Sequence, residues 1–146
     1  MPVNWGMYTP KTVPDGDFEV ALDKENFKEG KQSLKFEIRR SYAGIGWRVP
    51  GFTNEFFHVG RFRGEGRYKL SFWVKNDGSE FCVTAGGVSD HGGNMRTVIR
   101  ENKQIDDWEL LEFELEIPNN CWLRMELNIL QPGTFWIDDI RIKRIE

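Results

Sequence analysis

Residues 122–130 read WLRMELNIL, and along this segment apolar and polar side chains alternate. Successive side chains of a β-strand point to opposite faces of the sheet, so this period of two predicts a strand with one face in a core. The inward row would hold Leu123, Met125, Leu127 and Ile129. The outward row would hold Trp122, Arg124, Glu126 and Asn128. A row meant only for solvent would rarely begin with tryptophan, so the outward row is also a candidate binding surface.

The same period recurs in SLKFEIRR (33–40), YKLSFWVK (68–75) and LLEFELEIP (110–118). Weaker strand candidates are DFEVAL (17–22), GIGWRV (44–49), EFCVTAG (80–86), MRTVIRE (95–101) and FWIDDIRI (135–142). Turn-forming clusters such as PDGD, NDGS and QPG separate them, and no helical period is sustained. About nine strands joined by short turns predict an all-β fold, an antiparallel β-sandwich or a small barrel. With 146 residues, no linker and no repeat, the chain is predicted to form a single domain, 1–146.

Composition narrows the classes of partner. Hydrophobic residues make up 39% and charged residues 29%, which is enough for a core, while the net charge is −3 and the pI is near 5.5. Nucleic acids and anionic membranes both require a concentrated basic face, so neither is expected as a partner. No apolar run approaches the roughly 20 residues of a membrane helix. No signal peptide precedes Pro2, which fits a cytosolic protein or a module cut from a longer secreted chain.

The chemistry-bearing residues do not form a known catalytic pattern. Two cysteines, Cys82 and Cys121, make neither the usual zinc site nor a disulfide framework, and both a single bridge and two free thiols are open. The two histidines are isolated. The alternating glutamates of residues 112–116 predict a solvated stripe that faces Lys or Arg on a neighbouring strand. The sequence therefore favours a protein that is not an enzyme.

Five segments together resemble a known group of proteins in their order and spacing. They are EGKQSLKFEI (29–38), GIGWRV (44–49), GRYKLSFWVK (66–75), DDWELLEFELEIP (106–118) and TFWIDDIRI (134–142). This arrangement resembles the jelly-roll carbohydrate-binding modules of families four, nine and twenty-two, and it covers residues 30–142. The resemblance implies a galactose-binding-domain-like sandwich of two antiparallel sheets. Such modules often begin with an Asn-Gly-x-Phe-Glu strand; here DGDFEV matches the second strand, so the first is missing or is replaced by residues 3–8.

Two carboxylates, Asp138 and Asp139, stand inside the apolar run GTFWIDDIRIKRI (133–145). Simple alternation groups Asp138 with Trp136, Ile140 and Ile142, and Asp139 with Phe135, Ile137 and Arg141. The resemblance implies that Asp138 helps to hold a structural calcium ion, together with backbone carbonyls of the turn that contains Gly30 and Ser33. Calcium takes six to eight oxygen ligands, often including carbonyls. The alternative is a carboxylate that caps backbone N–H groups of a nearby turn.

The outward row of residues 122–128 suits a sugar. An aromatic ring stacks on the apolar C–H face of a sugar, while charged and amide groups hydrogen-bond its hydroxyls. At about 6.6 Å between alternate residues, the row would span several sugar units. The resemblance adds Trp47 and either Arg39 or Arg40 as ligand contacts, although Trp47 shares a face with Ile45 and Val49 and is equally well explained as core.

Two further tryptophans are expected elsewhere. Trp73 should point outward from a strand of the opposite sheet, and Trp108 is expected to be structural.

These observations predict a non-catalytic carbohydrate-binding module that holds a polysaccharide on a concave sheet face. It would be attached to a glycoside hydrolase as one part of a larger secreted or cell-surface protein. The alternative is a β-sandwich that only contacts a partner protein or a neighbouring domain.

Overall fold

The computed structural model describes residues 5–8, 17–25, 27–28, 30, 33–40, 51–56 and 65–145, with side chains from residue 22 onward except at 40 and 51–56. Its regular elements are all strands. They are β1 (Trp5–Tyr8), β2 (Asp17–Asp23), β3 (Ser33–Arg40), β4 (Gly51–Phe56), β5 (Gly66–Asp77), β6 (Phe81–Val88), β7 (Arg96–Glu101), β8 (Ile105–Ile117), β9 (Trp122–Ile129) and β10 (Gly133–Arg144). The described part of the chain has no helix that is long and apolar enough to cross a membrane.

The strands form two five-stranded antiparallel sheets. Sheet 1 has the order β1-β4-β9-β6-β7, and sheet 2 has the order β2-β3-β10-β5-β8. This arrangement confirms the predicted antiparallel β-sandwich. The single-domain boundary 1–146 stays a prediction.

The core lies between the sheets and is built from the apolar rows that the alternation predicts. In β9, all four inward side chains are completely buried while the outward ones are partly exposed. The inward side chains of β5 are equally buried: Tyr68, Leu70, Phe72 and Val74. The rings of Phe81 in sheet 1 and Phe135 in sheet 2 meet with centroids 4.7 Å apart. Contact between these rows holds the two sheets face to face.

The first strands differ in part from the expected pattern. β1 exists and pairs with β4, so residues 5–8 do supply a strand ahead of the DFEV segment, which forms β2 beside β3. The sequence did not predict β4, because GFTNEF is short and has glycine and asparagine among few apolar residues. The GIGWRV candidate (44–49) lies outside the described residues.

A β-bulge in β10 overturns the simple alternation around the acidic pair. Asp138 lies opposite Trp73, whereas the next outward partner, Ser71, lies opposite Arg141, so β10 contains one extra residue. Within the bulge, the backbone of Asp139 has a φ of 50°, a left-handed conformation that aspartate adopts more readily than most residues. The prediction that Asp138 shares a face with Ile140 and Ile142 was therefore wrong: the two isoleucines pack against the core, and Arg141 faces outward.

Candidate functional site

The candidate site lies on the outer face of sheet 1, along its central strand. β9 runs between β4 and β6, and its four outward residues are all partly exposed. We call Trp122, Arg124, Glu126 and Asn128 the β9 row. Burial of the other row fixes this orientation, because alternate residues of a strand must face opposite ways. The structure thus brings these four predicted residues together on one surface.

Small residues stand beside the β9 row on β6. The register places Cys82, Thr84, Gly86 and Val88 opposite Asn128, Glu126, Arg124 and Trp122, respectively. On the other side, the backbone of β4 places Thr53 opposite Glu126 and Glu55 opposite Arg124. The sequence did not predict that any of these neighbours borders the row. The signal available was the run TAGG at residues 84–87, whose small side chains leave the longer ones of β9 projecting beside them.

Glu126 makes only long contacts with the described side chains beside it. Arg124 Nη1 lies 4.0 Å from Glu126 Oε1, and the Thr84 hydroxyl donates to Glu126 Oε2 over 3.4 Å. Both distances are at the long limit for such contacts. A carboxylate has about four lone-pair sites, so Glu126 retains the capacity to accept hydrogen bonds from ligand hydroxyls.

The segment before β7 packs tightly on β6 next to the row. A Cβ on Gly86 would lie 2.6 Å from the Asn94 carbonyl oxygen, so a larger residue would push this segment away. The Asn94 side chain accepts from Gly87 N–H and donates to the Glu116 carbonyl, each over 2.6 Å. Since Gly87 belongs to sheet 1 and Glu116 to sheet 2, Asn94 fixes this border of the site to both sheets.

Cys82 lies opposite Asn128, at one end of the row. Burial raises the pKa of the Cys82 thiol, and a hydrogen bond with Thr97 offsets part of this rise. Cys121 is buried at 8% exposure, and both cysteines are free thiols, so the bridge left open by the sequence is not formed.

Of the remaining predicted sugar contacts, the structure describes the side chain of Arg39 alone. Arg39 is exposed near the end of β3, which belongs to sheet 2, so its strand does not place it on the face of the β9 row. Arg40 ends the same strand, and its side chain lies outside the description. Trp47 also lies outside the described residues.

Asp138 caps two backbone N–H groups. Its Oδ2 accepts from Lys28 N over 2.7 Å, and its Oδ1 accepts from Asp139 N over 2.8 Å. The Asp139 carboxylate in turn accepts from Arg141 Nε over 2.9 Å. The capping alternative therefore explains how a carboxylate is accommodated inside an apolar strand, because charge-assisted hydrogen bonds replace its contacts with water.

The same arrangement bears on calcium. The bond to Lys28 brings Asp138 to the turn that leads through Gly30, with a φ of 69°, to Ser33 at the start of β3. Within the described residues no group of three or more His, Cys, Asp or Glu side chains converges, so an ion here would take at most two such side chains from them, together with carbonyl oxygens. Each carboxylate oxygen has two lone pairs, so accepting one N–H does not by itself exclude an ion at Asp138.

The predicted glutamate stripe of β8 is confirmed. Glu112 pairs with Lys69 over 2.8 Å, and Glu114 pairs with Arg67 over 3.3 Å, both across to β5 on the outer face of sheet 2. The hydrogen bond to Glu112 raises the pKa of Lys69. These carboxylates act as ion-pair partners, and they lie on the sheet opposite the β9 row.

Comparison with known proteins rests on structure. No protein-family model and no curated protein matches the sequence. Solved structures with the same fold include carbohydrate-binding modules of families 22 and 4. One is the N-terminal family 22 and glycoside hydrolase 10 region of Clostridium thermocellum endo-1,4-β-D-xylanase 10B in complex with xylohexaose, with a TM-score of 0.68 and 17% identity over 97% of this chain and 26% of that one.

Two other solved structures show the range of proteins that share this fold. A family 22 xylan-binding domain from Paenibacillus barcinonensis has a TM-score of 0.65 and 18% identity, over 98% of this chain and 86% of that one. The enzymatically active domain of tailspike protein 4 from bacteriophage CBA120 has a TM-score of 0.63 and 16% identity, over 98% of this chain and 20% of that one. At these identities the likeness confirms the predicted jelly-roll fold, and the ligand must be argued from the side chains.

We expect Asp138→Ala to lower the free energy of unfolding by about 1–3 kcal/mol, because two backbone N–H groups lose a charged acceptor. Urea denaturation followed by tryptophan fluorescence, in the presence of a chelator, measures this contribution apart from any metal ion. Asp107→Ala, at an exposed position of β8, is the control. Equal unfolding midpoints for the two variants would contradict the capping role.

We expect iodoacetamide to alkylate Cys82 before Cys121, because only Cys82 is partly exposed. Since the pKa of Cys82 is raised, its thiolate fraction at neutral pH is small, and its rate should go on increasing above the ordinary thiol pKa. Peptide mapping by mass spectrometry gives the two rates, and urea-unfolded protein is the control in which both cysteines should react. Faster labelling of Cys121 in the folded protein would contradict the relative exposure of the two thiols.

Proposed function

We propose that the chain is a non-catalytic carbohydrate-binding module that holds a polysaccharide along the outer face of sheet 1. The observation that carries this proposal is the β9 row, in which one aromatic ring and three hydrogen-bonding side chains lie in line on one surface. A sugar chain offers the same combination of apolar faces and hydroxyls at every unit. Repetition along the strand therefore allows several units to be contacted at once.

The chemistry of each residue gives it a distinct role. The Trp122 ring would stack on a sugar face at one end of the row. Glu126 would accept hydrogen bonds from hydroxyls, while Arg124 and Asn128 would donate them. The resemblance places such a row on a concave face and adds Trp47 and Arg39 or Arg40. The Trp47 and Arg40 contacts stay predictions, whereas the strand of Arg39 belongs to sheet 2.

The ligand class is proposed from likeness together with this site. Solved structures of the same fold include a xylanase region in complex with xylohexaose and a xylan-binding domain. This likeness supports a plant-type β-linked polysaccharide as the first ligand to test. Mixed-linkage glucan, mannan and galactan belong in the same panel, because the β9 row has no feature that selects xylose.

The biological role follows from binding without chemistry. A module of this kind attached to a glycoside hydrolase, in a secreted or cell-surface protein, keeps the enzyme near its substrate and raises the effective concentration. The runner-up is a domain that only contacts a partner protein. The β9 row favours sugar over that alternative, because it alternates a ring with charged and amide groups instead of forming a contiguous apolar patch.

We expect Trp122→Ala and Glu126→Ala each to weaken polysaccharide binding by roughly 1–3 kcal/mol, through lost stacking and lost charge-assisted hydrogen bonds. An affinity-gel screen against the four soluble polysaccharides selects the ligand, and calorimetric titration then measures the affinities. Glu112→Ala, which removes the same charge from sheet 2, is the matched control and should bind like the wild type.

The stability of these variants should change little, because Trp122 and Glu126 both lie outside the buried row of β9. Full affinity in both variants, with the folded state intact, would contradict the sugar site and favour the alternative, a domain that only contacts a partner protein. Unfolding of both would show instead that the row is structural.

A calcium ion at the Asp138 turn stays a prediction with its own test. If an ion binds only the native state, chelation should lower the melting temperature by mass action and leave sugar affinity nearly unchanged, because Asp138 is on sheet 2. The loss on chelation should disappear in Asp138→Asn. Equal melting temperatures with and without chelator in the wild type would rule the ion out.

A further inference from the structure

Sheet 2 presents a second aromatic surface that the proposed function does not use. Trp73 on β5, Trp108 on β8 and Trp136 on β10 are all partly exposed on its outer face. They are half of the six tryptophans in the chain. Trp73 was expected to point outward from the opposite sheet, and it does so; Trp108, expected to be structural, stands on this same outer surface.

Lysines lie over all three rings. Lys28 Nζ is 4.4 Å from the centre of the Trp73 ring. Lys75 Nζ stands between two rings, 5.2 Å from Trp136 and 5.8 Å from Trp108. Lys35 Nζ is 5.9 Å from Trp136 on its other side. We call these three tryptophans and three lysines the outer strip.

The strand register arranges four residues of the outer strip as a repeating row. Trp136 lies directly opposite Lys35 on β3 and Lys75 on β5, and Trp108 of β8 stands beyond Lys75. Cation and ring therefore alternate across four neighbouring strands. Since neighbouring strands are about 4.8 Å apart, the row from Lys35 to Trp108 extends roughly 14 Å, which is long enough for more than one sugar unit.

The positive charge of the outer strip is only partly neutralised. Lys35 pairs with Glu37 over 2.8 Å. Among the described residues, however, the ammonium groups of Lys28 and Lys75 make no ion pair, and their contacts are the tryptophan rings. The two ammonium groups therefore keep hydrogen-bond donors for an anionic ligand while they lie next to the rings.

These observations fit an anionic ligand with flat apolar faces. An ammonium group has three donors, so Lys75 can bond a ligand carboxylate while it remains next to the Trp136 and Trp108 rings. A pyranose ring that stacks on either tryptophan would place an attached carboxylate near Lys75. The Trp136 ring is already fixed in place, because its Nε1–H donates to Asp23 Oδ2 over 3.0 Å.

We propose that the outer strip is a second carbohydrate site, which binds polysaccharide that carries uronic-acid carboxylates. A partner protein is the less favoured occupant, because lysines separate the tryptophan rings. Among the described register partners of the three tryptophans, Leu110, opposite Trp73, is the one strongly exposed aliphatic side chain, at 39% exposure. The site lies on the other sheet from the β9 row. Either site can therefore fail its test while the other stands.

The test compares two forms of one polymer. Polygalacturonate and its fully methyl-esterified form share a backbone and differ in charge, so calorimetric titration of both at low salt isolates the carboxylate. We expect the wild type to bind polygalacturonate, to bind the methyl ester at least about tenfold more weakly, and to lose affinity as salt is added.

Matched variants then locate the site. Lys75→Met keeps an unbranched stem but removes the charge, and it should weaken polygalacturonate binding about tenfold, while Lys75→Arg should restore it. Lys143→Met removes an equal charge from an exposed position further along β10 and should change affinity little. A loss of polygalacturonate affinity in Trp122→Ala but not in Lys75→Met would assign this ligand to the β9 row on sheet 1 instead.

Three results would overturn the proposal. The first is no binding of polygalacturonate at low salt, and the second is equal binding of its methyl ester. The third is an equal loss in Lys143→Met and Lys75→Met, which would reduce the effect to overall charge. Self-association of the wild type in sedimentation velocity, abolished by Lys75→Met and without saccharide binding, would assign the outer strip to a protein contact instead.

Discussion

Each strand of the sandwich must bury one apolar row against the facing sheet, and the rest of the structure depends on this constraint. The rows of β9 and β5 are buried completely, and the Phe81 and Phe135 rings meet at the boundary between the sheets. Because the side-chain period of a strand is two, burying one row forces the other row outward. The surfaces available for binding are therefore set by the same packing that holds the fold together.

The sequence predicted the faces wherever the alternation is regular. The β9 row and the glutamate stripe of β8 are placed as expected, because in both segments every second residue is apolar without interruption. It failed at β10, where a bulge adds one residue and exchanges the faces beyond Asp139. An insertion of this kind leaves no mark in a period-two pattern except a polar pair where one polar residue is expected. Neighbours across strands, such as Thr84 beside Glu126, could not be predicted either, since register depends on the whole sheet.

The two outer faces of the sandwich are chemically different although they follow the same rule. On sheet 1 a single strand carries a ring, a cation, a carboxylate and an amide in line, next to small residues of β6. On sheet 2 the rings come from three different strands, and cations stand between them. The first pattern follows one strand and was visible in the sequence. The second crosses strands, so Trp73, Trp108 and Trp136 appeared there as three unrelated residues until the register brought them together.

The acidic pair links the irregular strand to this second surface. Asp138 lies opposite Trp73 in register, and its carboxylate holds the backbone N–H of Lys28. The ammonium group of the same Lys28 lies over the Trp73 ring. One hydrogen bond of 2.7 Å therefore ties the turn before β3 to β10 and also positions a cation on the outer strip. A carboxylate in an apolar strand is costly unless it is paired, and here its pairing also fixes where a lysine stands. The position of Asp138 is thus explained by the turn it caps, whether or not an ion joins it.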